Sequence, residues 1–123
     1  MSDGFSDVTL EWREQKYTVP ADRVFELVRI LENTLMNGGS VPAFVLLLQN
    51  KVSQSTLSLA YSQALRFAGA EISASEVYLD IMQGFADDAG AAAIKVQNAV
   101  VGLLCIISPP MAAELMGVTD KKK

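Results

Sequence analysis

Residues 89–107 read AGAAAIKVQNAVVGLLCII, and their reading decides the fold. The segment is long enough for about five turns of α-helix. Ala92, Val96, Ala99, Val100, Leu103, Leu104 and Ile107 recur three and four apart, which makes one apolar stripe. Past Asn98 the apolar residues spread further, because Val101, Cys105 and Ile106 lie off that stripe. A helix that is apolar all round must be covered all round, so the spacing predicts a central helix enclosed by neighbours or by another chain. Lys95, Gln97 and Asn98 interrupt the run. A core helix is therefore favoured over a membrane span, which needs about 20 predominantly apolar residues.

The rest of the composition fits a helical domain around that segment. The chain has 123 residues, 50% hydrophobic and 20% charged, the balance of a folded chain with a core of its own. Its formal charge is −4. Setting aside Asp120 and Lys121, Lys122 and Lys123 leaves 7 basic against 13 acidic residues, a body at −6. Such a body repels a nucleic-acid backbone, and the terminal lysines alone are a weak basic patch. The N-terminus, MSDGFSD, has neither the basic flank nor the apolar core of a signal peptide.

Only one stretch alternates with a period of two. In Asp7–Trp12, Val8, Leu10 and Trp12 share one side. Arg13-Glu14-Gln15 reads as a turn and Tyr17-Thr18-Val19 as a second strand, so a hairpin is predicted with Trp12 and Tyr17 as its anchors. Two strands alone are marginal in water, so the hairpin must rest on helices. After Pro20, a helix from Ala21 carries Val24, Leu27, Val28, Leu31 and Leu35 on its inner face. Arg23, Glu26, Arg29 and Glu32 take the outer face, with pairing expected at Glu26/Arg29 and Arg29/Glu32. Asn37-Gly38-Gly39-Ser40 ends it. Pro42–Leu48 fits a buried strand or a short helix, and its leucines favour helix. Leu57, Ala60, Tyr61, Ala64, Leu65 and Ala68 mark a further helix, stopped at Gly69. Ser73-Ala74-Ser75-Glu76 reads as a capping box. The helix after it is expected to bury Val77, Ile81 and Phe85, with Tyr78 and Met82 alongside. Asp87-Asp88 closes that helix and favours the positive end of the next. Ser108-Pro109-Pro110 terminates the central segment, and Met111–Met116 has room for one more turn. The expected architecture is mainly α (α+β): a short N-terminal β-hairpin, then a bundle of about five helices. Residues 7–117 make one domain between flexible ends at 1–6 and 118–123.

Catalytic chemistry finds little purchase here. The chain has no histidine, and its one cysteine, Cys105, lies in the most apolar segment and reads as a buried small hydrophobe. Asp87 and Asp88 are the one close carboxylate pair, and adjacent helical residues diverge, so they do not share a proton. Gly38-Gly39 and Gly90 lack the lysine and spacing of a phosphate loop. The serines at 53, 55, 58 and 62 have no base beside them and read as the polar face of a helix. The reading is non-enzymatic, with no catalytic residue, cofactor or metal.

The arrangement resembles the small tail assembly chaperones of long-tailed bacteriophages and gene transfer agents. The likeness lies in Val8-Thr9-Leu10-Glu11-Trp12 followed by Lys16-Tyr17-Thr18-Val19, and in Gly69 leading to Ser73-Ala74-Ser75-Glu76 and a helix that ends near Gly84. Lys121-Lys122-Lys123 also fits the slippery run at which genes of this family shift frame to give a longer product. The resemblance implies a host-cytoplasmic protein, absent from the mature virion. It would hold the long, aggregation-prone tape measure protein in solution until tail tube subunits polymerise around it. The implied partners are the tape measure protein, the tail tube protein, the longer frameshift product and further copies of the chain. Neither nucleic acid nor a membrane is expected. The family pattern names no binding residue, so the candidates are the surplus apolar positions Phe44, Leu47, Val101, Cys105 and Ile106. Two other readings stay open: a tail-completion or connector protein that remains in the virion, and a small helical regulatory protein.

Overall fold

Val8, Leu10 and Trp12 do point to one side, and all three are buried while Thr9 and Glu11 are exposed. The computed structural model describes the backbone of residues 6–116 and the side chains of 6–114. Of the flexible ends expected at 1–6 and 118–123, all but Ser6 lie outside the described residues, as do the lysine tail and the stop at Gly117. Strand β1, Val8–Trp12, pairs antiparallel with β2, Gln15–Val19, in the register Val8 to Val19 and Trp12 to Gln15. The turn is therefore two residues, Arg13 and Glu14, one fewer than the spacing suggested. Both have positive φ, 52° and 67°, as the tight turn matching strand twist requires.

Among the described residues six helices follow the hairpin: α1 (Ala21–Met36), α2 (Ala43–Leu48), α3 (Gln54–Phe67), α4 (Ala74–Asp87), α5 (Ala89–Ile107) and α6 (Pro109–Met116). The extra one is α6, which Pro109 starts directly after α5, a position where a missing N–H costs nothing. Helix α1 buries the five predicted residues and ends at Asn37, whose φ of 49° is left-handed. Its outer face forms Arg23–Glu26 at 3.9 Å in place of the two expected pairs. Pro42–Leu48 is helical from Ala43. Helix α3 closes with the N–H of Ala70 on the Leu65 carbonyl at 2.9 Å and that of Gly69 on Arg66 at 3.0 Å. Gly69 has φ 108° there, which only glycine adopts readily. The Ser73–Glu76 capping box is complete, with both reciprocal bonds made.

The core joins the inner face of the hairpin to all six helices. Two expectations are corrected there. Phe85 is 37% exposed, since Val77 and Ile81 alone centre the inner face of α4. Ser58 and Ser62 are not a polar face: they are buried, and their hydroxyls return to the Gln54 and Leu59 carbonyls at 2.8 Å. Such back-bonding satisfies a hydroxyl without a partner helix. Helix α5 is covered where its apolar residues spread, with no exposed residue from Ala99 to Ile107, and open before that. Leu103, Leu104 and Ile106 are wholly buried, whereas Ala91, Ala93, Ile94, Gln97 and Asn98 are exposed. By length and composition α5 is the one described helix that could cross a membrane, and 28% of its apolar window is buried inside the fold.

Candidate interaction surface

Of the five surplus apolar residues, the structure keeps three near the surface. Leu47 is 4% exposed and Ile106 is 0%, so both belong to the core and offer a partner nothing in this fold. Ile106 lies off the stripe of α5, but α5 is packed on more than one side at its C-terminal end, so the stripe understates what is buried there. Phe44, Val101 and Cys105 are half-buried. Phe44 is on α2, apart from the other two. Burial raises the Cys105 thiol above its ordinary pKa, which keeps it a poor nucleophile at neutral pH.

Val101 and Cys105 line a groove of about 540 Å³ between β1 and α5. One side is Thr9, Leu10, Glu11 and Trp12 with the turn residues Arg13 and Glu14; the other is a stripe of α5, from Ala91 through Ile94, Lys95, Asn98 and Val101 to Cys105. Ile81 and Tyr61 also contribute. Gly102 packs closely on β1: a Cβ there would stand 3.1 Å from Leu10 Cδ2, which would have to give by a few tenths of an ångström. A smaller hollow of about 230 Å³ shares Thr9 and Cys105 with it and runs on past Ser6, Asp7 and Val8 to Pro109, Ala112 and Ala113 of α6.

Trp12 anchors one end of the groove. Its ring lies 6.2 Å from that of Tyr61, tilted 59°, a favourable aromatic geometry. The Arg13 guanidinium and the Lys95 ammonium stand 5.8 and 5.7 Å from its centroid. Asp80 holds both cations, Arg13 at 3.7 Å and Lys95 at 4.0 Å, and Glu76 reaches Arg13 at 4.0 Å. The cluster thus ties the turn to α4 and α5. The Tyr61 hydroxyl donates to the Glu11 carbonyl at 2.9 Å, and burial pushes its pKa up to about 12. Ser73 hydrogen bonds, backbone first and then side chain, hold the Glu76 carboxyl below its usual range.

A second surface is largely apolar. Tyr78, Met82 and Phe85 recur four and three apart along α4, beside Leu79, which is 64% exposed. Sequence reasoning placed Tyr78 and Phe85 against the core and passed over Leu79. The signal was present in the breadth of apolar residues on α4, wider than one buried face needs. Among the described residues no group of three or more His, Cys, Asp or Glu is placed to hold a metal ion. Comparison with family models, curated proteins and solved structures gives no match.

Proposed function

We propose that this protein is a non-catalytic assembly chaperone of the phage-tail type, covering apolar segments of a tape measure protein in the host cytoplasm and leaving before the virion is complete. The observation that supports this reading is the open apolar face of α4, Tyr78-Leu79-Met82-Phe85. Its spacing of three and four suits the apolar stripe of an amphipathic helix laid along it. Large exposed side chains in one stripe are unfavourable in a protein with no use for them. The acidic body keeps such a surface from driving precipitation.

The test is co-expression with the long helical tape measure protein of the same gene cluster, scoring how much of it stays soluble. Wild type should raise the soluble fraction several-fold, and the pair Leu79→Lys, Phe85→Lys should lose that effect while remaining folded. No gain with the wild type overturns the chaperone reading. Finding the chain by mass spectrometry in purified particles, at a fixed stoichiometry, assigns it instead to the virion as a completion or connector protein.

A further inference from the structure

We infer that the groove between β1 and α5 receives an extended segment of a partner protein, which adds to the outer edge of β1 as a third strand. The inference goes beyond the chaperone reading and does not rest on it, because it uses neither α4 nor a helical partner.

The register carries it. A two-residue turn makes Trp12 and Gln15 a hydrogen-bonded pair, and the alternation then continues through Leu10 with Tyr17 and Val8 with Val19. Thr9 and Glu11 fall at the other positions, so their N–H and C=O groups point away from β2. The Thr9 and Thr18 hydroxyls, 3.1 Å apart, mark the close side-chain approach of such a pair. Of these outward groups, the Glu11 carbonyl accepts from Tyr61. That bond shows the outer edge facing the groove. Among the described residues the main-chain groups of Thr9 and the Glu11 N–H have no partner and are left for a strand, the usual liability of an exposed edge.

The occupant is one strand and not a second copy of the hairpin. A β1 edge from another copy would bring its own β2 along, into a groove whose opposite wall is α5. A helix, about 10 Å across, would not sit at the strand spacing of about 4.8 Å. The inward side chains of the new strand would continue the Val8, Leu10, Trp12 face toward Ile94 and Val101, so they should be apolar. The outward ones would flank Thr9 and Glu11, in a body with an acidic surplus, so they should be hydroxylic or basic. The smaller hollow past Ser6 extends the track beyond three residues.

Main-chain pairing tolerates sequence, so a generic probe suffices: the acetylated, amidated heptapeptide TVKVTVK. On the intact protein, amide hydrogen exchange at Thr9 and Glu11 should slow at least tenfold at saturating peptide, with Trp12 fluorescence reporting the titration. Thr9→Pro removes the outward N–H without breaking a hairpin bond and should weaken binding at least tenfold. Thr9→Val, which keeps that N–H, should bind as wild type does, and Leu79→Lys on α4 should also be without effect. Unchanged exchange at both amides with millimolar peptide overturns the inference, as does wild-type affinity in folded Thr9→Pro. Should Thr9→Pro fail to fold, the exchange result alone decides. Loss of co-expression rescue with intact peptide binding would sink the chaperone reading and leave this one standing.

Discussion

Tyr61 links three parts of the fold at the scale of one residue: it packs on Trp12, donates to β1 and sits beside Gly102 of α5. Tyr61→Phe keeps the packing and removes the hydrogen bond, so urea unfolding should show a loss of about 1 kcal/mol. Its raised pKa adds a pH signature. An acid that holds its proton more tightly when folded contributes stability that is complete below its unfolded value of 10.0 and is lost as pH rises toward about 12. Between those limits wild type should lose stability faster than Tyr61→Phe, and parallel curves would show that Tyr61 is solvated. Trp12 is 7% exposed, and Trp12→Ala should cost about 3–5 kcal/mol, the usual range for emptying a large aromatic site. A loss well under 1 kcal/mol would place the ring outside the core. The alternation Val8, Leu10, Trp12 made this burial legible in the sequence. It did not show that the indole Nε1 is buried without a hydrogen-bond partner, because partners come from tertiary neighbours.

Among the elements, the hairpin turn and the start of α4 each make a local prediction. Arg13 and Glu14 hold left-handed conformations that cost a side-chain-bearing residue about 1–2 kcal/mol each. Arg13 has compensation in Glu76, Asp80 and the Trp12 ring. Glu14 appears in no such contact, so Glu14→Gly should stabilise the protein by about 0.5–1 kcal/mol once the greater freedom of unfolded glycine is deducted. A drop in melting temperature would mean that the Glu14 side chain contributes more than its backbone strain costs. At α4, Ser73→Ala should destabilise by about 1 kcal/mol. Glu76 is held below its ordinary value by the same cap, so its contribution is present above that value and fades as pH falls through the lowered one. Acid titration should therefore narrow the gap between wild type and Ser73→Ala without closing it, since the Ser73 Oγ still accepts from the Glu76 N–H at low pH. The capping box, the Gly69 stop and the α1 stripe were all readable, since each depends on residues within four or five positions. Phe85, Ser58 and Ser62 were misread because the face a helix buries is set by how many neighbours it has.

For the whole molecule, the apolar face of α4 and the exposed half of α5 predict self-association in the absence of a partner. Light scattering at tens of micromolar should show a species larger than the monomer, reduced by Leu79→Lys with unchanged circular dichroism. A strictly monomeric wild type would contradict this. Val101→Glu distinguishes surface from core at the groove: it should fold, since Val101 is half-buried, and global unfolding would place that position in the core. The sequence by itself determined most of the helical segments, where they stop and that one hairpin precedes them, while α6 and the helical state of Pro42–Leu48 were settled by the structure. Periodicity, caps and turn residues act over a single turn or a strand pair, and that information is local. The tertiary structure alone decided which side of each helix stays open. It put Leu47 and Ile106 inside, left Leu79 and Ile94 outside, and set the outer edge of β1 beside α5. Those outcomes depend on how six helices divide a limited interior, and on a glycine at 102 meeting a leucine at 10, contacts between residues far apart in the chain that no local pattern encodes.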